Sequence, residues 1–128
     1  MSLVTTDFKD HTGILTLNHP EKRNALSKAL IQDLVNGLRE MKQAGARTVI
    51  LRAPQGAQVW SAGHDIQELT VGGHDPQTYA DPLRRAVRAI ERFPAPVIAM
   101  IEGGVWGGAC EMVMSCDLLL ATPESTFA

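Results

Sequence analysis

Cysteine is scarce in this chain, with only two in 128 residues. Two thiols cannot build a disulfide framework, so the fold has to rest on a hydrophobic core, and the chain reads as cytoplasmic and reduced. An excess of positive charge is also missing. The formal net charge is −2 and the pI is near 6.0, so no basic face is implied and nucleic acid is a poor partner. No apolar run approaches the ~20 residues of a membrane span. The segment Met1 to Asp7 has neither a basic region nor an apolar core, so no secretory signal and no membrane partner are expected. Repeats and low-complexity stretches are absent. Of the common catalytic signatures, G-x-G-x-x-G, the Walker loop, G-x-S-x-G and H-E-x-x-H are all missing.

What is present is ordinary globular material, 45% hydrophobic and 20% charged. At roughly 150 residues per domain this is at most one domain. A chain of this size can bury roughly two-thirds of its unfolded surface. Leu3–Phe8 and Gly13–Asn18 read as strands joined by the connection Lys9 to Gly13, followed by a polar loop to Asn24. From Ser27 the period becomes helical. Leu30, Ile31, Leu34, Val35, Leu38 and Met41 form one stripe, with Ser27 as N-cap and Gly45 just past the end. Thr48–Ala53, Val97–Ile101 and Leu118–Ala121 read as buried inner strands of a covered sheet. A short helix is expected over Asp65–Leu69 and a loop over Val71–Gln77. A second helix starts at Asp81-Pro82, with Leu83, Ala86, Val87, Ile90 and Phe93 inward. A third runs from Gly107 to Ser115 after the glycine turn Gly103–Gly108. Alternating strands and helices imply an α/β sheet with parallel neighbours.

Two glycine turns follow buried strands, Ser61-Ala62-Gly63-His64-Asp65-Ile66 and Gly103 to Glu111. Each opens a helix, whose first N–H groups have no internal partner and can hold a developing oxyanion. Glu111 lies in the first turn of the second helix. It is either a carboxylate stabilised by the helix dipole or an acid/base group aimed at a site beside Gly107 and Gly108. Cys110 and Cys116 are six apart, about 240° on a helix, and do not converge on a metal. His64, Asp65, Glu68, His74 and Asp75 match no metal-ligand spacing, so no metal is expected. Arg84, Arg85, Arg88 and Arg92 read as a solvated face, with contact to an anionic ligand as the alternative.

The runs Asn24-Ala25-Leu26-Ser27, Trp60 to Ile66, Pro96 to Ala99, Gly103 to Met112 and Cys116-Asp117 resemble, in order and spacing, the crotonase (enoyl-CoA hydratase/isomerase) superfamily. The resemblance covers the whole chain. It implies a spiral of ββα units that binds an acyl-CoA thioester, with residues 1–128 a single N-terminal part ending after about half of the fold. It also implies that the backbone N–H groups of His64 and Gly108 hold the thioester oxygen. Lys22, Arg23 and Ala25 would line the coenzyme A pocket, with Ala62, Asp65 and Ile66 along its other wall and Gly107 also binding substrate. Coenzyme A would be part of the substrate, so no separate cofactor is implied, and the assembled enzyme would be a homo-oligomer, a trimer or hexamer.

Within the superfamily, the two glycine turns look most like the branch that decarboxylates methylmalonyl-CoA to propionyl-CoA, and His64 stands where hydratases carry a small residue. Because Glu111 matches the hydratase acid/base position, enoyl-CoA hydration or isomerisation is the alternative. A non-catalytic fragment that binds coenzyme A or a partner is the third reading. Uncovered, Leu118, Leu119 and Leu120 would forgo roughly 1.5–3 kcal/mol each. Net domain stability is only about 5–15 kcal/mol, so these 128 residues alone are expected to self-associate and to lack turnover.

Overall fold

The chain opens with a hairpin, β1 (Val4–Lys9) and β2 (Thr12–Leu17), paired antiparallel. Asp10 and His11 both take positive φ, 52° and 63°. That is the conformation of the tight two-residue turn whose twist matches the strands it joins, so the connection is shorter than the Lys9–Gly13 stretch read from sequence. The structure, a computed structural model, describes residues 2–65 and 81–128. Ile66, the loop Val71–Gln77 and all of the expected Asp65–Leu69 helix except Asp65 lie outside these residues. Asp65 itself is not helical.

Helix α1 (Lys28–Ala44) starts where expected: the Ser27 hydroxyl accepts a 3.1 Å bond from the Leu30 N–H. It ends at Gly45, which is left-handed at φ 80°. Its stripe Leu30, Ile31, Leu34, Leu38 and Met41 is buried, each side chain contributing about 1.5–3 kcal/mol. Gly37, in the middle of the helix, is a close-approach position. A Cβ there would stand 3.1 Å from Leu15 Cδ2, so the missing side chain lets α1 settle onto β2. The roughly 1 kcal/mol it costs in helix propensity is offset by that contact.

Among the described residues the main sheet has five strands in the order β1-β2-β3-β5-β7, where β3 is Thr48–Arg52, β5 is Val97–Ile101 and β7 is Leu118–Ala121. All pairings beyond the hairpin are parallel. A second parallel sheet joins β4 (Val59–Ser61), β6 (Gly104–Val105) and β8 (Thr126–Phe127) in the order β4-β6-β8. Sequence reading had taken Gly103–Gly108 as a turn alone. Strands of two or three residues are too short for a periodic signal, and glycine masks the rest.

Helix α2 (Pro82–Glu91) packs on α1, and α3 (Gly108–Met114) packs on α2. Asp81 caps α2 through a 3.0 Å bond from the Leu83 N–H. The third strand corrects the sequence reading. Along the register Leu15–Leu51–Ala99–Leu119, exposure is 0%, 1% and 0% until it jumps to 37% at Leu119. Leu118 and Leu120 are more exposed still, and Met114 and Phe127 are exposed as well. β7 is a strand, as expected, but it is an edge with neither face covered among the described residues.

Between α3 and β7, Cys116 is buried, and burial first, then the Asp117 charge, push its thiol up from the ordinary 9.0 to about 12. The native state therefore keeps a proton that the unfolded chain releases from about pH 9.0 upward. This contribution is intact below pH 9.0 and is lost as pH rises toward about 12. Cys116→Ala is expected to flatten that part of the alkaline stability profile, measured by denaturant unfolding. In the same assay Ser27→Ala is expected to cost about 1 kcal/mol through loss of the α1 cap, with an unchanged m-value. Leu118→Lys combined with Leu120→Lys is expected to reduce self-association in sedimentation velocity.

Candidate active site

The site is built around a loop that side-chain hydrogen bonds hold in place. A 3-10 turn at Pro20–Lys22 is followed by Arg23 and Asn24, both at φ 52°. Asn24 is almost fully buried, and its polar groups are satisfied. Its Oδ1 accepts from the His19 N–H at 2.7 Å, and its Nδ2 donates to the Trp60 carbonyl at 3.0 Å. The Ser61 hydroxyl donates to the Asn24 carbonyl at 2.7 Å and accepts from the Gly63 N–H at 3.3 Å. Backbone bonds from Ala62 N–H to Arg23 O (2.9 Å) and from Leu26 N–H to Gly63 O (2.7 Å) complete the seam. Trp60 is buried, and its indole N–H donates to the Met100 carbonyl at 2.9 Å, tying β4 back to β5.

On its other side, β4 meets β6. The Trp106 N–H donates to the Ser61 carbonyl at 3.0 Å, and the two glycine turns come into contact just beyond. Gly63 is at φ +88°, and a Cβ on it would lie 2.5 Å from the Trp106 carbonyl oxygen and 3.1 Å from the Gly108 nitrogen. Only glycine fits there. The His64 ring covers the second turn, because a Cβ on Gly108 would meet its Nδ1 and Cε1 at 2.9 Å. Among the described residues no acceptor takes the backbone N–H of His64 or of Gly108. Gly108 opens α3 behind the N-cap Gly107 (φ 56°), so its N–H is one of the helix's orphan donors. Two unused amide donors therefore stand on touching segments.

The residues singled out from sequence gather here. Ala62, Gly63, His64 and Asp65 run between the 22–26 loop and the Trp106–Gly108 turn. Asp65 is buried and lies 3.8 Å from the ammonium of Lys22, which is half exposed. Arg23 is exposed and Ala25 is buried. Glu111 is exposed on α3, three residues past Gly108. Ile66 lies outside the described residues. Behind the His64 ring is a group read from sequence only as a helix cap: Asp81 Oδ2, 3.8 Å from His64 Nε2. Asn24 and Ser61 were read as motif letters rather than as the clamp they form.

The arginines of α2 do not form one uniform solvated face. Arg85 and Arg88 are half-buried, and Arg85 donates to Gln32 Oε1 at 2.7 Å beside Arg39 of α1. Among the described residues no cluster of three His, Cys, Asp or Glu side chains could hold a metal ion. No helix there is long and apolar enough to cross a membrane.

Comparison with known proteins gives the chain's family and fold. The family model described as enoyl-CoA hydratase/isomerase matches residues 7–128. Methylmalonyl-CoA decarboxylase of Escherichia coli (strain K12) is 52% identical over 116 residues, covering 91% of this chain and 44% of that protein. The mitochondrial enoyl-CoA hydratase domain-containing protein 3 of Danio rerio is 35% identical over 130 residues, covering 99% of this chain and 44% of the relative. Among solved structures, methylmalonyl-CoA decarboxylase in complex with 2-nitronate-propionyl-CoA superposes with a TM-score of 0.96 at 48% identity, covering 99% of this chain and 49% of the other. Human enoyl coenzyme A hydratase domain-containing protein 3 gives a TM-score of 0.82 at 29% identity, covering 98% of this chain and 50% of the other. The chain thus spans about half the length of the relatives it matches. With a mixed α/β architecture that superposes on crotonase-fold structures and a family match over nearly its whole length, the chain belongs to the enoyl-CoA hydratase/isomerase family.

Proposed function

We propose that this chain is the N-terminal part of an acyl-CoA enzyme that decarboxylates methylmalonyl-CoA to propionyl-CoA. The observation that carries the reading is the pair of unused N–H donors, His64 and Gly108, on two backbone turns in contact. The 52% identity to the E. coli decarboxylase supports the choice of substrate.

The chemistry asks little of side chains. The bond between the α-carbon and the carboxylate breaks, its electron pair moves toward the thioester, carbon dioxide leaves, and negative charge collects on the thioester oxygen. Amides already aimed at that oxygen stabilise the charge without reorganising, and one such donor is worth ~3 kcal/mol. A proton delivered to the α-carbon completes the product. On this reading Lys22, Arg23 and Ala25 border the coenzyme A portion. Ala62, Asp65 and Ile66 border it from the other wall, and Gly107 also binds the substrate. Coenzyme A enters as part of the substrate, no resident cofactor is required, and the working enzyme is a cytoplasmic homo-oligomer. Glu111, one turn along α3 from Gly108, supports a second reading in which the same two amides serve enoyl-CoA hydration or isomerisation.

The two readings separate on substrate. Incubated with methylmalonyl-CoA, the full-length enzyme that contains this chain is expected to release carbon dioxide. Incubated with crotonyl-CoA, it should leave the enoyl absorbance unchanged. Hydration without carbon dioxide release would establish the second reading instead. Gly63→Ala is expected to lower kcat by about two orders of magnitude, because its Cβ would push the turns apart and misplace a donor. His64→Ala keeps its amide and is expected to change substrate choice while leaving coenzyme A affinity intact.

A further inference from the structure

Among the described residues, His64 Nε2 and Asp81 Oδ2 are two buried polar atoms without a hydrogen-bond partner. They face one another at 3.8 Å, within reach of an ion pair but beyond a hydrogen bond. Asp81 is only 8% exposed. A buried carboxylate oxygen without a donor is costly, so its place beside a ring nitrogen in the same state calls for a reason. Capping α2 does not provide one. The cap uses the other oxygen, Oδ1, which accepts from the Leu83 N–H at 3.0 Å. Oδ2 is left over, directed at the imidazole.

The opposite edge of the ring is placed differently. Nδ1 and Cε1 lie against Gly108, 2.9 Å from where a Cβ would stand, and Nδ1 is not among the enclosed, unpartnered atoms. The ring therefore has a closed end at a carboxylate and an open end beside the two free amides. Carboxylates fix histidine tautomers in this way: the nitrogen facing the carboxylate carries the proton, and the other nitrogen does the chemistry. Hydrogen bonds of this kind are often long in the absence of substrate and tighten in the complex.

We propose that Asp81 is a positioning residue that holds His64 protonated at Nε2, leaving Nδ1 as the ring atom presented to the acyl group at the two-amide site. The inference rests on the proposed function for what Nδ1 meets there, namely the substituent on the thioester α-carbon. The carboxylate–imidazole pairing itself rests only on the geometry.

The test uses the double duty of Asp81. In Asp81→Asn the cap still needs an oxygen at the Leu83 N–H, so the carboxamide nitrogen takes the place of Oδ2. That donor facing Nε2 forces the ring proton to Nδ1. Asp81→Ser keeps the cap and deletes the group facing the ring. Imidazole nitrogen NMR shifts in the purified protein are expected to show an Nε2-protonated neutral ring in the wild type. They should show an Nδ1-protonated ring in Asp81→Asn and a mixture in Asp81→Ser, with unfolding midpoints near wild type in both.

On whichever acyl-CoA the wild type turns over, Asp81→Asn is expected to lower kcat about 100-fold, while KM moves less than ~3-fold because coenzyme A contacts are untouched. A ring that stays Nε2-protonated in Asp81→Asn overturns the assignment. So does an inverted ring with unchanged kcat. A full-length wild-type enzyme inert toward every thioester would defeat the functional reading alone, because the ring shifts decide the pairing by themselves.

Discussion

Everything around the site depends on two stretches of backbone touching without side chains between them. Gly63 lies so close to Trp106 and Gly108 that a single methyl group would overlap a carbonyl oxygen at 2.5 Å. That approach lets β4 and β6 pair in parallel, and their pairing brings Ala62–His64 beside the start of α3. The main sheet sets the approach up from a distance. β3 and β5 are parallel neighbours in it, so the segments that leave their ends emerge on the same side, where ligands of open α/β sheets bind. The short second sheet then turns a rough proximity into a fixed one.

The seam around Asn24 maintains that precision. A buried side-chain amide left unsatisfied costs about 1–3 kcal/mol per group, so a loop built around one has few alternative arrangements. Asn24 meets His19 and Trp60 through its side chain and Ser61 through its carbonyl. Ser61 carries the link on to Gly63. These five residues transmit the position of the rigid strand β4 to the loop bearing Lys22 and Arg23. The Lys22–Asp65 pair closes the same loop from outside, but with Lys22 half exposed it holds the loop less firmly than the buried bonds do.

Most of the elements were legible in the sequence because each rests on a local signal. The α1 stripe, its Ser27 cap, the Asp81-Pro82 start of α2 and the apolar runs of β3, β5 and β7 all have local causes, and the structure contains each of them. The second sheet was not legible. Val59–Ser61 and Gly104–Val105 become strands only because tertiary contact pairs them. Leu118–Ala121 was legible as a strand with apolar groups on both faces, and the exposure of Leu118, Leu119 and Leu120 among the described residues matches the uncovered patch expected of these 128 residues. At the site, the glycine turns and Glu111 were legible as residue types. The clamp of Asn24 on Ser61 spans 37 positions and leaves no mark in either local pattern. Asp81 was hidden by being explained too well, since a helix cap accounts for one carboxylate oxygen and conceals the other.

Backbone donors and side chains divide the labour of such a site in a way that physical chemistry makes durable. An amide at His64 or Gly108 persists through any substitution that spares the backbone path, so on the proposed reading the capacity to stabilise charge on a thioester oxygen belongs to the fold. Selectivity has to come from what stands next to those amides. On the proposed reading His64 serves both purposes at one position, supplying a donor through its N–H and a chemical edge through its ring. A freely rotating ring would present either nitrogen and choose poorly among acyl groups. A carboxylate fixed at the start of α2, behind the ring and out of water, removes that freedom, while its other oxygen serves as the helix cap.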